Sequence, residues 1–314
     1  MIIDAHAHVY DILSGYGARG EFRPLGNGRG IWATGEIEQF FPAQYGDLGF
    51  KAEALLQLME ENNVGHAVLL QGGNYGFHND YAAEVAAKYP EKFTAVGTLD
   101  PYGLYAQQIL EHFIQDYHFR ALKFEISQTW GMTGYHPGLQ LDNDAFAPIL
   151  KRANELAMTV VIDMGPMGTD SFAIEPLKNL LKRYPNIVFV MTHCFFPCDD
   201  GKNAQRLDFM RQLVSDRFVF DISNLPAICW PEPYPFVSEQ TFLKEARKVL
   251  GAERMLWGTD LPSTLNRFTY RQMIDFVTEG GIFTPEELAL VMEENARRIY
   301  HIPSSEFYDR YNEI

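Results

Sequence analysis

A chain of 314 residues can form one large domain or two ordinary ones, and 46% hydrophobic with 14% aromatic residues excludes a disordered chain. A net charge of −15 excludes the basic stripe of a nucleic-acid binder and the basic helix of a membrane-surface binder, so a small molecule is the expected partner. Three cysteines, Cys194, Cys198 and Cys229, are too few and odd in number for a disulfide framework, and they read as buried thiols.

The chain opens Met-Ile-Ile-Asp with no basic or long apolar leader, and no stretch reaches the roughly 18 apolar residues of a spanning helix. A cytoplasmic enzyme is expected, and a homo-oligomer is left open. Apolar runs then recur at Ile2–Ala5, His66–Gln71, Phe93–Leu99, Arg120–Ile126, Met158–Asp163, Ile187–His193, Phe218–Ile222 and Met255–Gly258. Several are continuous rather than alternating, the pattern of parallel strands covered on both faces. Amphipathic helices are expected between them, at Lys51–Asn62, Asp144–Leu156 and Ala173–Leu181. Thr284-Pro285 with Glu287 three residues after the threonine reads as a capping box. Eight strands alternating with helices predict one (β/α)8 barrel over residues 1–314, with an open doubly wound sheet as the alternative. Residues 9–50, a long insertion after the first strand, and residues 127–143 after the fourth are expected to border the barrel mouth.

The chemistry concentrates at strand ends. In Asp4-Ala-His6-Ala-His8 the histidines are two apart and project to one face, an apt pair of nitrogen ligands for a divalent ion. Gly258-Thr-Asp260-Leu-Pro262 follows the last run, so Asp260 can serve as ligand and as proton acceptor. His193 ends the sixth run. Lys123 and Glu125 share one face of the fourth and are candidates for substrate binding or for a structural ion pair. His66, His78, His112, His118, His136 and His301 have no patterned partners.

The opening IDAHAH, FVMTH before Cys194, RMLWGTDLP and the closing ENARRIY together resemble the amidohydrolase superfamily. The likeness is greatest to its branch of aminocarboxymuconate-semialdehyde and resorcylate decarboxylases and related lactone hydrolases, and it runs from Ile2 to about Ile302. It implies a distorted TIM barrel with one catalytic divalent ion, zinc or manganese. His6 and His8 would be ligands, His193 the strand-6 histidine, and Asp260 both ligand and base. One position departs from the pattern: the fifth strand ends in Asp163-Met-Gly165 where the branch has a histidine. Asp163 is therefore expected either as an oxygen ligand or as a residue that does not bind, which would leave the site weakened or metal-free, as the resemblance to the pyrone-dicarboxylate hydrolases, which work without metal, implies.

The expected activity is hydrolysis of a small, carboxylated cyclic ester or amide by metal-activated water, with Asp260 as base and His193 polarising the carbonyl. The alternatives are a non-oxidative decarboxylase of the same branch, a catalytically silent barrel that binds other molecules, and a metal-dependent DNase. The negative charge weighs against the last.

Overall fold

The computed structural model describes residues 1–228 and 232–304. Its strands are β1 (Ile2–Ala7), β2 (Gly15–Gly17), β3 (Gly20–Gly26), β4 (Arg29–Trp32), β5 (Ile37–Gln39), β6 (Val64–Leu69), β7 (Phe93–Ala95), β8 (Ala121–Glu125), β9 (Thr159–Asp163), β10 (Val188–Met191), β11 (Phe218–Asp221) and β12 (Met255–Leu256). Parallel ladders join β1–β6–β7 and β8–β9–β10–β11–β12. Backbone hydrogen bonds bridge both seams. Gly97 N–H reaches Ala121 O (3.1 Å) and Lys123 N–H reaches Gly97 O (2.8 Å); Ala5 N–H reaches Trp257 O (3.0 Å) and His8 N–H reaches Leu261 O (2.9 Å). The eight parallel strands form the (β/α)8 barrel, and the open-sheet alternative falls.

The eight apolar runs overlie these eight strands, with ends that differ by a few residues. The largest change is in the third run, where only Phe93–Ala95 pairs as strand. Helices at Ala52–Glu61, Ala147–Glu155 and Ile174–Arg183 lie within a few residues of expectation. The last of these buries Ile174, Leu177 and Leu180 at helical spacing and leaves Glu175 and Lys182 off that stripe. The Thr284 capping box forms, with Glu287 N–H on Oγ1 and Glu287 Oε2 on Thr284 N–H. Ile3, Val68, Val96, Val161, Val190 and Val219 pack inside the barrel, apart from the core between strands and helices. Ile299 and Tyr300 join this inner cluster, and Thr159 at the start of β9 donates to Ile299 O (2.6 Å), so the last helix stops the N-terminal end.

Residues 9–50 are more ordered than their composition suggests. β2 to β5 form a four-stranded antiparallel sheet, which frequent glycines and Pro24 hid from pattern reading. Its core is sparse: Phe22 pairs with Trp32 across β3 and β4, with ring centroids 4.5 Å apart. Cys194 is buried and Cys198 half-buried; Cys229 lies outside the described residues. Among the described residues no helix is long and apolar enough to cross a membrane.

One irregularity decides where the strand-1 histidines point. Asp4 pairs with Ala67 and Ala7 with Leu69, so three steps along β1 match two along β6. That extra residue is a bulge, and it shifts the pleat by one position. Ile3 and Ala5 before it pack inside the barrel, while Asp4 turns outward to Thr259 and Tyr270. After it Ala7 packs outward and His6 and His8 face the lumen. Gly258 lets β12 approach this segment: a Cβ there would lie 2.7 Å from His6 Cβ and 2.8 Å from His6 N. Gly258→Ala should destabilise the fold by about 1–3 kcal/mol, the usual range for overpacking. The check is a lower urea midpoint at unchanged slope.

Candidate functional site

His6 is fully buried, its Nδ1 2.5 Å from Asp221 Oδ2. With that proton on Nδ1, Nε2 carries the lone pair. Nε2 lies 3.3 Å from Asp260 Oδ1 and makes no hydrogen bond among the described residues. Burial disfavours charge on this ring, but Asp221 and then Asp260 outweigh it and raise its pKa. His8 Nδ1 donates to Leu70 O (2.8 Å), and its Nε2 lies 2.8 Å from the same Asp260 oxygen. Burial, aided by Lys123 and His6, lowers His8 to about 4, so its ring is neutral near pH 7. The Tyr75 hydroxyl lies along the ring edge, 2.5 Å from His8 Nδ1 and 3.0 Å from Nε2.

Asp260 completes the group. Its backbone is left-handed (φ +59), a conformation open to Asp and Asn, and its amide donates to His6 O (2.7 Å). Oδ2 accepts from Asn224 Nδ2 (2.7 Å), which leaves Oδ1 facing both rings. One ligand atom from each of His6, His8 and Asp260 lies within 4.8 Å of the others. Two imidazole nitrogens and a carboxylate oxygen that converge in this way suit a divalent cation, and the orphaned His6 Nε2 is the clearest sign of that fit.

Asp163 stands apart from this group. Its Oδ2 lies 3.2 Å from His193 Nε2, and Gly165 N–H holds Oδ1 (3.1 Å). Burial works against charge on both, yet the pair's mutual attraction outweighs it, bringing Asp163 down to about 2 and His193 up to about 9. His193 Nδ1 donates to Ser223 O (3.0 Å). The ring is aimed by an unusual turn in which His193, Cys194, Phe195 and Phe196 all have positive φ. Such residues each cost about 1–2 kcal/mol in left-handed conformation. Strain of this kind clusters at functional sites.

Lys123 and Glu125 face the lumen, as one-face spacing on a strand requires. The ammonium is 3.6 Å from Glu125 Oε2, too far for a hydrogen bond, although both side chains are nearly inaccessible. Glu125 accepts from Ser127 Oγ (2.6 Å), and burial followed by the Asp163 charge raises it to about 7. His8, Lys123, Glu125, Asp163, His193 and Asp260 all line one cavity of about 940 Å³, whose wall also includes Tyr10, Tyr75, Trp130 and Phe196. The inserted sheet supplies Glu38, and Arg19 holds that residue (2.8 Å) while packed between Trp32 and Trp130. Residues 9–50 and 127–143 thus both reach the mouth.

Of the remaining histidines, His66 bonds Glu91 O and Thr94, His78 bonds Tyr75 O, and His136 pairs with Asp100. Pattern reading missed Asp221, Ser223, Asn224 and Tyr75. Asp221 carried a signal, since it stands two residues after the inward Val219 on one strand. Asn224 and Tyr75 are loop residues without one.

No curated protein sequence matches the chain. Solved structures do. An amidohydrolase from Burkholderia multivorans with bound zinc is 15% identical over 96% of this chain and 100% of its own, with a TM-score of 0.73. A probable 2-pyrone-4,6-dicarboxylic acid hydrolase from Acinetobacter baumannii, with citric acid bound, is 15% identical over 96% and 99%, at 0.66. The 5-carboxyvanillate decarboxylase from Sphingomonas paucimobilis is 18% identical over 79% and 82%, at 0.54. These likenesses are of fold. Metal binding is typical of the family whose sequence profile matches residues 3–302, and by that match the chain belongs to the amidohydrolase family.

Proposed function

We propose that the chain is a metal-dependent hydrolase that opens small cyclic esters bearing a carboxylate. The observation that carries this reading is the convergence of His6 Nε2, His8 Nε2 and Asp260 Oδ1, with His8 and Asp260 lining a cavity of about 940 Å³. These residues would hold one divalent ion, zinc or manganese, two imidazoles and a carboxylate being a common open set for such ions. The ion would supply Lewis acidity toward a carbonyl and acidify a water molecule. Asp260 takes the proton of the attacking water, its carboxylate oriented by Asn224. His193, kept protonated by Asp163, sets a positive charge beside the oxygen on which charge develops. Lys123 offers an ammonium with no hydrogen bond among the described residues, suited to a carboxylate elsewhere on the substrate. Glu125 lies beside it and sets the charge balance of that end of the cavity.

The test is purified protein, stripped and then loaded with zinc or manganese, offered carboxylated lactones and aromatic carboxylic acids. We expect ring-opened acid from a lactone, lost on chelation and restored by metal. Release of CO2 from an aromatic acid without any lactone opening would replace this reading with a carboxy-lyase.

A further inference from the structure

We propose that Asp221, at the end of β11, is a positioning residue for the metal centre: it fixes the His6 ring so that Nε2 faces Asp260 and strengthens that nitrogen as a donor. The inference rests on the reading of His6, His8 and Asp260 as ligands.

The geometry is specific. Asp221 is 1% exposed and is not part of the cavity wall, so it can reach a substrate or metal only through another residue. Both of its oxygens are engaged. Oδ2 lies 2.5 Å from His6 Nδ1, and Oδ1 accepts the Ser223 N–H at 2.5 Å, so the carboxylate cannot swing away. A neutral imidazole has one N–H. A fixed carboxylate claims it at Nδ1 and leaves the lone pair at Nε2, the atom that lacks a hydrogen bond among the described residues. A flipped ring would forfeit the Asp221 contact.

The two candidate ligands have unlike partners. His8 Nδ1 is held by a peptide carbonyl, Leu70 O, whereas His6 Nδ1 is held by a full charge. A carboxylate behind an imidazole raises its basicity and donor strength more than a carbonyl does. Ser223 extends the same bracket: its Oγ lies 3.0 Å from Nδ1 of both His6 and His193, and its carbonyl oxygen accepts from His193. Asp221 and Ser223, two positions apart, therefore set the orientation of both His6 and His193. A residue that served only to hold the barrel together would require no such pairing with a ligand ring.

The experiment measures zinc dissociation constants by competition with a chromophoric chelator, using full-length wild type, His6→Ala and Asp221→Asn. Thermal midpoints of the stripped proteins are recorded alongside. We expect wild type to bind one zinc and His6→Ala to lose it. Asp221→Asn should bind about 10–100-fold more weakly, while its stripped-protein midpoint reports the separate effect on folding. Zinc binding by wild type, lost in His6→Ala but within twofold of wild type in Asp221→Asn, would overturn this proposal alone. No zinc binding by wild type, or undiminished binding in His6→Ala, would overturn the metal reading and this proposal with it. Should Asp221→Asn fail to fold, the wild type still decides. Histidine ¹⁵N shifts should show His6 protonated at Nδ1 and coordinating through Nε2, and the reverse assignment would refute the proposal.

Discussion

Asp260→Asn should lower kcat/KM by about 10²–10⁴, the usual worth of a general base, and should weaken the hold on metal as well. The substitution is clean. Asparagine accepts the left-handed backbone that Asp260 occupies (φ +59), and its side chain matches the carboxylate in size. What disappears is the charge that faces His6 Nε2 at 3.3 Å and His8 Nε2 at 2.8 Å, together with the site that would take the water's proton. Zinc content after dialysis and steady-state kinetics with saturating zinc separate the two losses. Recovery of full turnover at high zinc would mean that Asp260 is a ligand only. Near-wild-type kcat/KM and metal content together would remove it from the site.

Much of this arrangement was legible in the residues themselves. Strands covered on both faces must be apolar along their length, so runs such as Val160–Ile162 mark the barrel without help from tertiary contacts. His6, His8 and Asp260 were legible for a different reason: polar groups ending such runs have no place in a core and so belong to the mouth. What pattern reading could not supply depends on pairing between distant segments. The β1 bulge exists only relative to β6, yet without it the histidines would share the outward face of Asp4. Local alternation predicts that His6 and His8 point together, not which way they point. The inserted sheet was hidden because its two large buried rings, Phe22 and Trp32, meet only once β3 and β4 pair. Alternation from Val219 marks Asp221 as inward, but its pairing with His6 was hidden because the two are 215 positions apart.

Asp163 shows the same dependence, and its replacement gives the second large expected effect. A carboxylate at the end of the fifth strand could have faced the metal, but the fold sets it against His193 Nε2 at 3.2 Å. Asp163→Asn should therefore keep its zinc and lose activity from the alkaline side. With Asp163 present, burial opposes the charged imidazole, yet the carboxylate prevails and raises His193 to about 9. Without it, the alkaline limb of kcat against pH should move from that region toward the ordinary histidine value of 6.5. A divalent ion held by His6 would lower the limb in both proteins, so the measured quantity is the displacement between them. Stability follows the same linkage. The raised His193 contributes fully below pH 6.5 and loses that contribution as pH rises toward about 9. The lowered Asp163 contributes fully above 3.8 and loses it as pH falls toward about 2. The stability difference between wild type and variant should thus be greatest between pH 3.8 and 6.5 and shrink on either side. Urea midpoints across pH and zinc content by elemental analysis test both halves. Loss of zinc in Asp163→Asn would return Asp163 to the ligand set, and an unmoved alkaline limb would take His193 out of the proton chemistry.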